Sequence, residues 1–419
     1  MTHYGLNPSF VYNSPLPLFA NLLRRAKREE ADGTVKLMEN VTPEFAASVK
    51  PAAGITRRPS GLLTAAGQQD AWTGPFFWHG PSAIALQSLR PTVLRTLDWQ
   101  MTNKRPDWAL PRVLPTDTFQ GTDRGMAVEL QAAAADRVSC TLWWCAPPRF
   151  ERPVDDYEHR IEEMLRAIQI RSTRPPILEY GNELWNDGFP VHGWLNDLRA
   201  NPASSWHGNA AVEIATLKRV ADRVFGAHGP LGQRSYYLFV GGQLTVPSHL
   251  DRILAALAAL GITPDLAGPA LYVTPLKAHK DEWEATGAVL TQEELRSSCF
   301  SRLREIEHGT SSQMSLMAQA QRVKASGVPF FACYEAGQSL IAGAHPWRKA
   351  AIEAQRTAWM GDLYRGIRRV AEAAGVDLLN WYSAATDQSP SDPRVDVFGL
   401  LEGDSSVPLL PKALAARGD

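Results

Sequence analysis

Two stretches of this chain bring acidic side chains to places where they could work as a pair: Leu178-Glu-Tyr-Gly-Asn-Glu183-Leu-Trp-Asn186 and Phe330-Phe-Ala-Cys-Tyr-Glu335-Ala-Gly-Gln338. In each, an apolar or aromatic run of strand length ends in a glutamate, and glycine-, asparagine- or glutamine-containing loop sequence accompanies it. Two carboxyl groups at the mouth of one parallel sheet are what cleavage of a glycosidic bond needs. One protonates the departing oxygen, and the other attacks the anomeric carbon or activates water. A carboxylate chosen at random is a solvated surface charge. Glu183 and Glu335 differ because buried strand carries each of them to its end. Glu179 lies four residues before Glu183, but Pro175-Pro176 and the strand-like run favour extended geometry, which makes it a buried partner for an arginine rather than a third acid.

The elements that must position these acids alternate along the chain. Strand-like runs occur at Tyr4–Asn7, Thr92–Asp98, Cys140–Cys145, Ile177–Gly181, Tyr236–Gly242, Asp265–Tyr272, Pro329–Glu335 and Asp377–Tyr382. Several are hydrophobic without alternation, as parallel strands covered on both faces are. Between them, 3.6-residue spacing predicts helices: one capped by Asp155 with Tyr157, Ile161, Met164, Leu165 and Ile168 on a face, one from Ser248 to Gly261, and a long one over Ala350–Ala374. Eight strands with intervening helices predict an α/β fold, a (β/α)8 TIM barrel spanning 1–419 as a single domain. An open doubly wound sheet is the alternative, but no G-x-G-x-x-G or G-x-x-x-x-G-K-[ST] loop follows the first strand. The long stretch between the first two strands predicts an insertion at 27–89, packed on or over the barrel. It is too aromatic for a linker, with Trp72-Thr-Gly-Pro-Phe-Phe-Trp-His-Gly80 inside it.

The Asn182-Glu183 pair and the later strand-end Glu335 resemble the catalytic pattern of glycoside hydrolase clan A, over most of the chain. In that clan the acid/base follows an asparagine at the end of strand four and the nucleophile ends strand seven, which are the strands on which Glu183 and Glu335 fall here. The clan also carries an arginine on strand two, a tyrosine on strand six and a tryptophan on strand eight, which look like Arg95, Tyr272 and Trp381. Within the clan, the segments Arg95–Asn103, Glu179–Asn186 and Tyr334–Gln338 look like a group of cellulase-like bacterial proteins, with Ala336 where that group tends to have glycine. The resemblance implies a retaining hydrolase with Glu183 as acid/base, Glu335 as nucleophile, and no cofactor or metal.

Elementary electrostatics assigns the supporting roles. A nucleophilic carboxylate must stay ionised, so Glu335 needs donors, and Arg95 and Tyr272 should both approach it. The acid must begin protonated, so Glu183 should sit somewhere drier. Asn182 can donate to a sugar hydroxyl beside the reacting carbon. Trp381 is expected as the floor of a sugar subsite, with Trp143, Trp144 and Trp185 as further platforms among 13 tryptophans.

Composition narrows the rest. With 43 basic and 44 acidic residues the net charge is −1, which argues against a nucleic-acid partner. No apolar run is long enough to span a membrane. The N-terminus lacks a signal-peptide pattern, so the expected location is cytoplasmic, or outside the cell by release without a classical signal, as in a virion. The 4 cysteines fit no zinc spacing and read as buried thiols. Histidines show no H-E-x-x-H spacing, and no G-x-S-x-G elbow occurs. The expected partner is therefore a carbohydrate, with oligomeric state undetermined. The main alternative is a catalytically silent barrel that binds carbohydrate or builds a phage tail or similar particle. An aldolase- or enolase-type barrel ranks lower, because the strand ends offer neither a lysine nor an acidic cluster.

Overall fold

The computed structural model describes residues 3–7, 27–29, 35–37, 89, 91–100, 102–104, 125–137, 139–197, 205–227, 234–287, 289–340, 345–382, 385–386, 400–402 and 410–418. Its strands are β1 (His3–Asn7), β2 (Lys27–Glu29), β3 (Val35–Leu37), β4 (Val93–Arg95), β5 (Thr141–Ala146), β6 (Ile177–Tyr180), β7 (Tyr237–Gly242), β8 (Leu266–Pro269), β9 (Leu271–Val273), β10 (Phe330–Gln338), β11 (Leu378–Tyr382), β12 (Ala385–Thr386) and β13 (Leu401–Glu402).

Every neighbour pairing in the main sheet is parallel, in the order β1-β4-β5-β6-β7-β8-β10-β11, and β11 returns to β1 through His3↔Leu378 to Asn7↔Tyr382. The sheet is a closed eight-position barrel. β9 continues the β8 position upward, so the long β10 pairs with β8 at Phe330↔Leu266 and with β9 at Ala336↔Leu271. Closure leaves no edge strand in the main ring and satisfies its backbone ladder on both sides of each strand.

Side-chain parity divides the core in two. Val93, Trp143, Cys145, Ile177, Phe239, Leu266, Ala332, Tyr334 and Leu378 pack inside the ring. Leu94, Leu142, Trp144, Leu178, Tyr180, Leu238, Cys333, Leu379 and Trp381 point outward into the layer shared with the helices. That layer supplies the bulk of the hydrophobic stabilisation, each fully buried Leu, Ile or Phe contributing about 1.5–3 kcal/mol. At Gly268 a Cβ would stand 2.0 Å from the Ala332 carbonyl oxygen, so only glycine lets β8 and β10 approach this closely.

Helices cover the ring, and three differ from the sequence reading. The helix Val154–Arg171 is preceded by Pro153 without a side-chain cap, and Asp155 lies in its first turn, where the helix dipole favours an acid. The helix expected from Ser248 begins one residue earlier, at Pro247 in the first turn of Pro247–Ala259 with no side-chain cap, and ends before Gly261 at φ +72°. The stretch expected as one helix over Ala350–Ala374 is two, Arg348–Ala354 and Ala358–Ala373. Thr357 separates them because its hydroxyl caps the second helix, accepting from the Met360 N–H at 3.3 Å.

Between β1 and β4 the structure contains the antiparallel pair β2–β3. The packing of the 27–89 insertion on or over the barrel lies outside the described residues. Among the described residues, no helix is long and apolar enough to cross a membrane. The four cysteines are buried and none is in a disulfide.

Candidate active site

Arg95 ends β4 with its guanidinium buried inside the ring, and the site is built around it. Its Nε and Nη2 donate to Glu179 Oε2 and Oε1, both at 2.8 Å, a bidentate pair. Nη1 donates to Glu335 Oε1 at 2.7 Å, and Nη2 also donates to Asn182 Oδ1 at 2.7 Å. Burial acts to lower the Arg95 pKa, but Cys145, Glu179 and Glu335 outweigh it and hold the group well above its usual value. The cation is therefore fixed, which is what three acceptors inside a barrel require.

Glu179 faces inward because β6 alternates: Ile177 and Glu179 point into the ring, Leu178 and Tyr180 away from it. It also accepts from the Trp143 indole N–H at 2.9 Å and from the Cys145 thiol at 3.3 Å. With Arg95 bound to both of its oxygens, Glu179 is the buried anchor of the arginine.

Past β6 the chain turns sharply. Gly181 has φ +64° and Glu183 has φ +44°, a region that non-glycine residues seldom occupy. A strained backbone at a carboxylate is a feature of sites where geometry is held by the surroundings. Here the hold comes from several directions. Asn186 Nδ2 donates to Glu183 Oε2 at 2.8 Å, the Tyr334 hydroxyl donates to Glu183 Oε1 at 3.1 Å, and His192 Nδ1 donates to the Leu184 carbonyl at 2.8 Å. Burial pushes the Glu183 carboxyl above its ordinary value, against the donors Asn186 and Tyr334 and the charge of Arg95.

Glu335 is nearly buried on β10, and both of its oxygens receive donors. Arg95 donates to Oε1, and the Tyr272 hydroxyl at the β9 position donates to Oε2 at 2.8 Å. Burial, with Glu335 and Tyr382 adding to it, raises the Tyr272 pKa well above normal, so its proton stays on the phenol. Asn182 is buried, and its Nδ2 donates to Asn103 Oδ1 at 2.8 Å.

The structure thus brings Arg95, Asn182, Glu183, Tyr272 and Glu335 to one end of the barrel, with Trp185 half-buried on the Glu183 loop. Three expected platforms require correction. Trp381 points away from the ring: it packs on Tyr364, and its indole N–H donates to the Ala416 carbonyl at 3.2 Å. The inward residues of β11 are Leu378, Asn380 and Tyr382, and Tyr382 meets Tyr272 edge-on at 6.2 Å. Trp143 does face the interior, but it is fully buried below the rim against Phe239 at 4.5 Å, so it supports Glu179 and offers no open face. Trp144 is fully buried on the helix side.

Sequence reasoning passed over Tyr334, Asn186, Asn103 and Tyr382. Asn186 had a visible signal, standing three residues after Glu183 on a turn, and strand parity from Leu378 selects Tyr382. Tyr334 had none, because its orientation depends on a bulge. Among the described residues, no group of three or more His, Cys, Asp or Glu side chains is placed to hold a metal ion.

Fold and rim together define a (β/α)8 barrel with two carboxyl groups at one mouth, Glu335 bonded to a cation and a phenol and Glu183 to two neutral donors. Its solved structural neighbours include glycosidases, the class that the sequence motifs resemble. One is the family 51 arabinofuranosidase from Xanthomonas axonopodis pv. citri, at TM-score 0.49 and 12% identity over 82% of this chain and 66% of that one. A glucosidase from Croceicoccus marinus matches at 0.47 and 13%, over 80% and 62%. An endo-β-1,3-glucanase of family 128 from Amycolatopsis mediterranei, in complex with laminaripentaose, matches at 0.39 and 12%, over 81% and 95%. The chain spans slightly less than two thirds of the first two proteins. No protein-family model and no curated protein sequence matches it. The barrel assignment rests on the closed strand ring described above.

Proposed function

We propose that this protein is a retaining glycoside hydrolase that cleaves an oligo- or polysaccharide by double displacement, with Glu335 as nucleophile and Glu183 as acid/base. The observation that carries the reading is the contrast between the two carboxyl groups. Glu335 accepts one bond from a fixed cation and one from a phenol, an arrangement that favours the ionised form. Glu183 is held toward the protonated form by burial. A carboxyl group raised by burial, facing one bonded to a fixed cation, fits the acid and the nucleophile of such a pair.

In the first step a Glu335 oxygen bonds to the anomeric carbon, the glycosidic C–O bond breaks, and the Glu183 proton passes to the departing oxygen. Glu183, now a carboxylate, takes a proton from water. The water oxygen bonds to the anomeric carbon and Glu335 is released. Arg95 and Tyr272 hold the nucleophile in one rotamer, so attack needs little reorganisation. Asn182 has a second amide hydrogen for a sugar hydroxyl. Tyr382 takes the subsite-floor role first expected of Trp381, and Trp185 adds a second platform.

A panel of chromogenic glycosides and polysaccharides tests the reading, and NMR of the first-formed anomer tests retention. Crystallographic carboxyl groups about 5–5.5 Å apart fit retention, whereas a gap beyond roughly 6.5 Å fits inversion. In Glu183→Ala, substrates with poor leaving groups should lose far more rate than activated aryl glycosides, on the order of 10²–10⁴-fold, and azide should restore turnover. A protein that binds glycan yet turns over nothing on the panel would establish the silent-barrel alternative instead.

A further inference from the structure

β10 carries an irregularity whose consequence reaches both glutamates. Its register with β11 runs Ala332↔Leu378 and Cys333↔Leu379, then resumes as Ala336↔Trp381. One residue more is used on β10 than on its partner, and the same offset separates its pairings with β8 and β9. In an unbroken strand, Tyr334 facing inward would put Glu335 among the helices and Ala336 back inside. The bulge instead lets two consecutive side chains point into the ring, while Cys333 and Ala336 on either side both join the outer layer. Glu335 reaches Arg95 and Tyr272, and Tyr334 reaches across the barrel to Glu183.

We propose that Tyr334 is a positioning residue for Glu183, brought inward by the β10 bulge so that one strand orients both glutamates. The inference rests on the acid/base assignment given above and assigns the arrangement of its proton. Asn186 is oriented by its neighbour: its Oδ1 accepts the Gly188 backbone N–H at 3.0 Å, which leaves Nδ2 to face Glu183 Oε2. An amide held this way can only donate, so the Oε2 lone pair it occupies is closed to the catalytic proton. Oε1 faces a hydroxyl, which can donate or accept. When Glu183 is ionised, Tyr334 donates to Oε1. When Glu183 is protonated on Oε1, that hydroxyl can turn without moving the ring. The ring itself is fixed, buried beneath Arg95 at 5.0 Å and beside Phe239 at 5.9 Å. Glu183 therefore keeps one rotamer through both halves of the reaction, despite its strained backbone.

The test is the titration of Glu183 itself, read without turnover. Glutamate labelled with ¹³C at the carboxyl carbon is followed by NMR, and the Glu183 signal is assigned by its loss in Glu183→Gln. Tyr334→Phe keeps the ring and removes the donor to the carboxylate. The Glu183 pKa should then rise by about 1 or more, given what a bond to a charged acceptor contributes. Asn186→Ala should move it in the same direction. Tyr272→Phe, which removes a hydroxyl donated to Glu335 and not to Glu183, should move it much less. In kinetics with an active substrate, the alkaline limb of kcat/KM should shift upward with Tyr334→Phe while KM changes little. An unchanged Glu183 titration in folded Tyr334→Phe overturns the proposal. If Tyr334→Phe does not fold, an unchanged titration in Asn186→Ala overturns it, because the clamp has two jaws. If the titration moves as expected but no glycan is cleaved, the hydrolase reading falls and the Tyr334 contact stands.

Discussion

At the lower rim of the barrel, Asp265 stands just before β8, accepts the Leu238 N–H at 2.8 Å and faces Arg234 at 3.0 Å. Asp377, just before β11, does the same for the Phe331 N–H at 2.9 Å. These carboxylates bind backbone, and each ties the start of one strand to its neighbour. At the upper rim the acids bind side chains: Arg95, Tyr272, Tyr334, Trp143 and Asn186 converge on Glu179, Glu335 and Glu183. The same residue types thus stabilise pairing at one end and, on the proposed function, hold the reacting carboxyl groups at the other. Strand ends at the C-terminal face of such barrels carry chemistry, and the opposite face carries stability.

The largest effect expected at either rim is on rate. Glu335→Gln should reduce kcat/KM by on the order of 10⁴-fold or more with little change in melting temperature, as measured on any substrate found active. Next comes Arg95→Met, which should both abolish activity and cost about 3–5 kcal/mol in urea unfolding, because it leaves Glu179 buried without its cation. Asp265→Ala should sharpen the comparison from below, destabilising by about 1–3 kcal/mol through the orphaned Leu238 N–H while leaving kcat/KM unchanged. Equal loss of activity in Asp265→Ala would erase the distinction between the rims.

A smaller effect should have the opposite sign. Burial raises the Glu183 carboxyl above its ordinary 4.5, so the folded protein binds that proton more tightly than the unfolded chain. Its contribution to stability is complete below about pH 4.5 and is lost as pH rises through the folded value. Glu183→Gln should therefore be more stable than the parent at pH 7 and should lose that advantage toward pH 4, in thermal melts across the range. Smallest of all, Trp381→Phe should leave KM unchanged within about twofold, its ring facing the helices, whereas Tyr382→Ala should raise KM.

The strand ends were legible in the sequence because apolar runs of strand length are bounded by proline, glycine and asparagine, and the glutamates follow from those boundaries. Glu179 was legible by parity alone, two residues from Ile177 along an extended run. Trp381 misled because it was chosen by residue type; alternation from Leu378 puts Asn380 and Tyr382 inward. Tyr334 could not be read, since a bulge changes parity without any composition signal. The split at Thr357 was hidden by a hydrophobic period that continues across a two-helix corner.

Ring closure has a consequence for how the chain folds. β1 lies at residues 3–7 and hydrogen-bonds to β11 at 378–382, so the seam joins the first strand of the ring to its last. Contacts this distant in sequence form late and slow the search for the native state. During synthesis β1 must wait with one ladder open until β11 leaves the ribosome, and an open parallel edge invites pairing with another molecule. Expression yield should therefore respond to changes at this seam more than to changes at the acids.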